Sequence, residues 1–239
     1  MTAKITFTLD GKEVEALPGE TIWQVARRQG TEIPHLCYAP EPGYRADGNC
    51  RACMVEIKGE RVLAASCIRK PVQDMVVNTA SDAAKNARRL VMEMLVADQP
   101  ARETAPDPQS KFWAWAERMG VVDSRFPPRA STGSDPSHVA IAVNLDACIH
   151  CNLCVRACRE VQVNDVIGMA YRGHDAKIVF DFDDPMGEST CVACGECVQA
   201  CPTGALMEAS LLDEAGTRRE FEDRHVDTVC PYCGVGFLI

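Results

Sequence analysis

The chain reads as α+β: a small sheet domain carrying four cysteines, a helical stretch without cysteine, and a second domain built on a repeated cysteine run. Three observations carry this. CIHCNLCVRAC (148–158) and CVACGECVQAC (191–201) share one spacing, C-x2-C-x2-C-x3-C. Residues 4–30 alternate polar and apolar side chains, turn at Asp10-Gly11, and then change to a helical pattern. Residues 97–120 contain neither cysteine nor histidine and are broken by Pro100, Pro106 and Pro108.

At 239 residues the chain has room for about two domains and a sizeable core. A net charge of −9 argues against nucleic acid or an anionic membrane as a partner. No apolar run approaches the length of a membrane span. The N-terminus, MTAKITFTLDG, alternates instead of forming an apolar signal segment, and the pair Arg27-Arg28 has no apolar stretch after it. Fourteen cysteines without an export signal are expected to ligate metal in the cytoplasm, not to form disulfides.

The first domain is expected over residues 1–80. Ile5, Phe7 and Leu9 share one face of a half-buried strand, and Lys12 to Ala16 returns from the Asp10-Gly11 turn. Pro18-Gly19 breaks the hairpin. Thr21 caps a helix with Gln24 completing a capping box, and Gly30 closes it. Two strands, a helix and then a cysteine loop is the opening order of a β-grasp ferredoxin. MVVNT (75–79) supplies the last strand.

Cys37, Cys50, Cys53 and Cys67 are the candidate ligands here, spaced C-x12-C-x2-C-x13-C. The long first gap departs from the C-x4-C-x2-C of plant-type proteins. The IPHLCY and GNCRAC segments resemble the [2Fe–2S] domain that opens the large iron–sulfur subunit of complex I and of NAD-reducing hydrogenases. That resemblance implies one [2Fe–2S] cluster on these four thiolates; a zinc site is the alternative. Gly48 is expected to let backbone amides approach the cluster. His35 is read as a packing residue, because a Rieske centre needs two histidines on one iron.

Residues 81–138 are expected to form a helical, proline-rich linker without cluster ligands. Ser81 opens a helix with Leu90, Val91, Met94 and Leu95 on one face. In the complex I relatives this helix leads to a site of one histidine and three cysteines; here the corresponding residues are absent. Phe112, Trp113 and Trp115 lie on a short helix expected to dock on a neighbouring surface. PPRASTGSDPSH (127–138) marks the next boundary.

Residues 139–211 carry the repeat, the run bacterial ferredoxins use for two [4Fe–4S] cubanes. Three thiolates of each run cap one cubane, and the fourth points at the other. One cluster is therefore assigned to Cys148, Cys151, Cys154 and Cys201, the second to Cys191, Cys194, Cys197 and Cys158. Four thiolates also suit zinc, but zinc ribbons present pairs of cysteines. A small strand at Ile141 and Val143 precedes the first run, and another is expected at Ile178 to Phe182. His150 is read as a packing residue, and Asp181, Asp183 and Asp184 as turn residues, not a cation site.

Residues 212–239 form a tail ending VCPYCGVGFLI. With CIHCNLCVRACREVQVNDVIG and STCVACGECVQACPTGAL, it resembles the N-terminal iron–sulfur portion of the α subunit of NAD-dependent formate dehydrogenases. In that family CPYCGVGC opens the molybdenum or tungsten bis-pterin domain and begins the ligand set of a further cluster. Cys230 and Cys233 match its first two ligands, whereas Phe237 stands at the third. Two cysteines do not complete a cubane. The chain is therefore expected to be a fragment, a truncated product or a separate electron-transfer subunit.

The resemblance implies an oxidoreductase part that carries electrons from a metal–pterin formate site towards FMN and NAD. All of these would lie on a catalytic pterin-bearing chain or domain and a flavin/NAD-binding subunit. No catalytic residue is expected on this chain. The alternatives are the diaphorase iron–sulfur subunit of an NAD-reducing hydrogenase or complex I-like enzyme, and a zinc-bound scaffold.

Overall fold

The computed structural model describes residues 4–219, together with the backbone of two short paired strands, Asp227–Val229 and Gly236–Leu238. The first unit is built on a five-stranded sheet of order β2-β1-β5-β3-β4. β1 (Ile5–Leu9) and β2 (Lys12–Ala16) form the expected antiparallel hairpin. Asp10 and Gly11 both take positive φ, as that tight turn requires. The chain then crosses over through α1 (Ile22–Arg28), whose Thr21–Gln24 capping box is formed in both directions. β3 (Met54–Ile57), β4 (Ala64–Ala65) and β5 (Val76–Asn78) complete the sheet, with β5 parallel to β1. Phe7, Leu9, Val14, Ile22, Trp23, Val55 and Val77 fill the core between sheet and helix.

α2 (Asp82–Ala97) is capped by Ser81, whose side chain accepts from the Ala84 amide at 3.2 Å. Its buried face differs from the one expected. Ala84, Arg88, Met92 and Val96 point inward, while Leu90 and Met94 are solvent-exposed. The reason is Arg88. Its guanidinium donates to Met54 O at 2.7 Å and to Thr79 O at 2.6 Å, so a nominally polar side chain ties the helix to the sheet.

α3 (Lys111–Arg118) carries the expected aromatics. Phe112 and Trp113 are buried; Trp115 is half-buried against His35. The stretch is a wedge, not a free linker. Met92, Val96, Phe112, Trp113 and Ala116 share one core with Leu36 and Cys37 of the first unit and Ile149, Cys151 and Leu153 of the second. Phe112 N–H donates to Pro202 O at 2.9 Å. Gly204, at φ +78°, admits the wedge, since a Cβ there would lie 2.7 Å from Asp107 Cβ.

The second unit pairs β6 (Ser134–Asp135), β7 (Ile141–Asn144) and β10 (Leu206–Glu208) in an antiparallel sheet of order β10-β7-β6. The proline- and serine-rich stretch thus ends inside this sheet. Two short helices, α4 (Leu153–Arg156) and α5 (Glu196–Ala200), follow the cysteine loops. The insertion forms a hairpin of β8 (Ile167–Ala170) and β9 (Lys177–Phe180). β9 stops two residues before the expected Phe182, because Asp181 and Asp183 adopt φ of 47° and 75° and turn the chain. Among the described residues no helix is long and apolar enough to cross a membrane.

Candidate metal centres

The first centre grows from the loops around β3 and β4. Cys53 immediately precedes β3 and Cys67 follows Ala65 of β4, so the antiparallel pairing Met54↔Ala65 sets the two thiols side by side. Ser66 Oγ donates to Cys53 O at 2.7 Å and fixes that corner. Cys37 and Cys50 come from the loops opposite, and the Cys50 amide donates to Cys37 Sγ at 3.4 Å. Gly48 is at φ +66°, but the atom a Cβ would strike is Ile68 Cδ1 at 2.9 Å; in this structure its role is loop packing. Arg51 also takes positive φ and bends the loop between the two cysteines.

Cys37, Cys53 and Cys67 are each about 1% exposed, and all four thiols are free. The sulfurs lie close enough to hydrogen-bond to one another. Hydrogen bonds from the Cys50 and Cys67 thiols hold Cys37 well below the ordinary thiol range, and the Cys67 thiol lowers Cys53. The donors Cys50 and Cys67 are raised, chiefly by those same bonds to Cys37. Four soft sulfurs within reach of one another, with no carboxylate among them, fit a thiolate-ligated cluster.

The second and third centres repeat one local design. His150 and Asn152 take left-handed φ in the first run, and Ala193 and Gly195 do so in the second, wrapping each loop inward. The amide of His150 donates to Cys148 Sγ at 3.4 Å, and that of Ala193 to Cys191 Sγ at the same distance. Cys148, Cys151, Cys154 and Cys201 line a single apolar cavity with Ile149, Ile178 and Leu206. Burial pushes Cys148 up to about 11 and raises Cys151 and Cys154 further.

Cys197 is pushed up to about 12, by burial first and then by the nearby charges of Cys191, Cys194 and Cys158. Cys158 lies where α4 opens into a wider π-type turn, Ala157–Val161. Val166 N–H donates to Cys158 Sγ at 3.3 Å. Cys201 thus lies with the first three cysteines of the other run, and Cys158 lies near Cys197. Cys194 is the exposed corner of the set.

Sequence reading missed the arginines around these loops. Arg156, 2% exposed, reaches the carbonyls of Cys37 at 2.7 Å and Cys151 at 3.2 Å. Arg129, inside the proline-rich stretch, donates to Leu145 O at 2.6 Å and Cys148 O at 2.9 Å, and contacts His150 Nε2 at 2.8 Å. Only the position of Arg156 inside a cysteine run hints at its role; nothing in the sequence marks Arg129. His35 packs against Trp23 with ring centroids 4.5 Å apart. Asp181 accepts from Thr190, while Asp183 pairs with Lys177 at 2.8 Å. Among the described residues no three His, Cys, Asp or Glu side chains converge on a position for one metal ion. Cys230 and Cys233 lie outside the described residues.

Comparison with known proteins agrees with this geometry. Residues 2–82 match a 2Fe-2S iron–sulfur cluster binding domain, and residues 147–205 a 4Fe-4S dicluster domain. The NADP-reducing hydrogenase subunit HndD of Solidesulfovibrio fructosivorans is 34% identical over 215 residues, 85% of this chain and 36% of that protein. An NADH-quinone oxidoreductase subunit of Rhizobium meliloti (strain 1021) is 32% identical over 237 residues, 97% of this chain and 27% of that one. A Staphylococcus aureus (strain USA300) protein provisionally named a formate dehydrogenase is 24% identical over 274 residues, 99% of this chain and 27% of the relative. The chain thus spans about a third or less of these relatives' length. A crystal structure of NAD+-reducing [NiFe]-hydrogenase in the H2-reduced state superposes with a TM-score of 0.77 at 29% identity, over 90% of this chain and 93% of that one.

Proposed function

We propose that this chain, in which a 2Fe-2S cluster-binding domain precedes a 4Fe-4S dicluster domain, is the iron–sulfur electron-transfer part of an NAD-linked formate dehydrogenase. The observation that carries the proposal is the set of twelve free cysteines in the two cysteine-rich units, with Cys201 lining one apolar cavity with Cys148, Cys151 and Cys154. Cys37, Cys50, Cys53 and Cys67 would hold a [2Fe–2S] cluster. Cys148, Cys151, Cys154 and Cys201 would hold one [4Fe–4S] cluster, and Cys191, Cys194, Cys197 and Cys158 the other. When bound, such clusters store and pass single electrons.

The protein's own groups do the rest. The thiols lose their protons on loading, so loading is coupled to pH. Amide donors such as those of Cys50, His150 and Ala193 point at ligand sulfurs and stabilise added negative charge. Burial of most ligands excludes water, and the exposed Cys194 edge leaves one end of the set near the surface. Structural zinc is ordinarily closed by paired cysteines, whereas in this reading each run would lend its fourth cysteine to the other, as the cavity shared by Cys148, Cys151, Cys154 and Cys201 supports.

Formate as the ultimate donor is favoured by CPYCGVG at 230–236 in the sequence. A metal–pterin site, FMN and NAD would then belong to other domains or subunits. The second reading is the diaphorase iron–sulfur subunit of an NAD-reducing hydrogenase, favoured by the superposition over almost the whole of the hydrogenase chain. Native mass spectrometry of the complex purified with this chain, followed by anaerobic reduction with formate or with hydrogen, separates the two. We expect a pterin-bearing partner and bleaching of the brown colour by formate. Bleaching by hydrogen alone overturns the formate reading in favour of the second.

A further inference from the structure

We propose that Arg156 is the positioning residue that fixes the gap between the binuclear centre and the first cubane centre and biases both towards their reduced states. The inference rests on the ligand assignment above and deepens it.

The geometry is specific. One nitrogen, Nη2, donates to the carbonyl of Cys37 at 2.7 Å and to that of Cys151 at 3.2 Å. These residues are ligands of two different centres. Nη1 donates to the Arg45 carbonyl. Nε donates to Asn152 O at 3.2 Å and faces Asp47 Oδ2 at 3.3 Å. Every nitrogen of the guanidinium is engaged, at 2% exposure, and the partners come from both units. The fixed fork lets Nη2 take the Cys37 and Cys151 carbonyls while Nη1 takes that of Arg45 and Nε that of Asn152, whereas an ammonium offers three donors from a single point.

Two consequences follow from that placement. The hydrogen bonds join the backbones of a binuclear ligand and a cubane ligand through a single nitrogen atom. They also hold a positive charge where water is excluded, so its field on both centres is weakly screened. A cation beside a cluster favours the more negative, reduced state. Asp47, at the far edge of the guanidinium, offsets part of that field. Passage of one electron from one centre to the other would break no bond at Arg156.

The test uses the full chain, reconstituted anaerobically, with Arg156→Met and Arg156→Lys. Potentiometric titration followed by paramagnetic resonance reads each centre separately. In Arg156→Met the binuclear centre and the first cubane should both shift to more negative potential, by at least about the 59 mV of a tenfold change in a one-electron equilibrium. The cubane at Cys191, Cys194 and Cys197 should not shift. In Arg156→Lys the potentials should stay near wild type while the magnetic interaction between the two centres weakens, because the three donors of one ammonium cannot hold all four carbonyls that the guanidinium ties together. Unchanged potentials in Arg156→Met at full iron content overturn the proposal, as does an undiminished interaction in Arg156→Lys. Should Arg156→Met lose iron, selective loss from the two bridged centres supports the bridge and loss from all three overturns it. Wild-type protein without a binuclear signal would overturn the ligand assignment itself.

Discussion

Arg88 shows how much of this fold rests on side chains that look like surface residues in the sequence. It is 8% exposed and satisfies two carbonyls, one beside Cys53 in β3 and one after β5. Truncating it strands both carbonyls in the α2 interface. Arg88→Ala should destabilise the protein by about 3 kcal/mol, read as a lower urea midpoint at unchanged slope. The cysteines were legible at this scale because ligand spacing is a property of the sequence itself. Arg88, Arg129 and Arg156 were not, because their partners are backbone carbonyls, which no sequence pattern marks. For the same reason the inward face of α2 was misread: apolar spacing selected Leu90 and Met94, while the helix buries the row through Arg88.

Asp135 contributes a pH dependence at this scale. Partial burial would raise its carboxyl, but hydrogen bonds from Ser137 and from the Met186 amide at 2.7 Å outweigh that and hold it below the ordinary aspartate range. Its folded value is depressed, so its contribution is fully present above the unfolded value of about 3.9 and is lost as pH falls through the folded one. Asp135→Asn should therefore bleach faster than wild type at pH 7, and the difference between the two should shrink as the solution is acidified below about pH 4.

Among the elements, the two short helices and the wedge between the units decide the architecture. Cys158 sits in the turn Ala157–Val161, near Cys197 of the second run. Cys158→Ala should chiefly damage the cluster held by Cys191, Cys194 and Cys197. Selective loss of the signal from Cys148, Cys151 and Cys154 would mean that each run serves its own cubane. Phe112 is fully buried in the core shared by both units. Phe112→Ala should cost about 3–5 kcal/mol and loosen the binuclear and first cubane centres together; hydrogen exchange confined to one unit would contradict the wedge. The helices themselves were readable from capping residues and aromatic spacing. That α3 belongs to a common core was not, since a proline-broken stretch carries no signal of what it packs against.

For the molecule as a whole, the order of the two cluster-binding units followed from spacing and resemblance. The fit of one unit on the other depends on long-range contacts such as Tyr44 to Glu196 at 2.8 Å and Arg45 to Glu160 at 3.0 Å, which only the folded chain brings together. On this reading the two units hold one binuclear and two cubane clusters, and Cys230 and Cys233 add none within this chain. Iron determination on anaerobically reconstituted wild type and on the Cys230→Ser/Cys233→Ser double variant tests it most directly. Both should contain about ten irons per chain, with equal dithionite-bleachable absorbance. About fourteen irons in wild type, falling by about four in the double variant, would contradict the account.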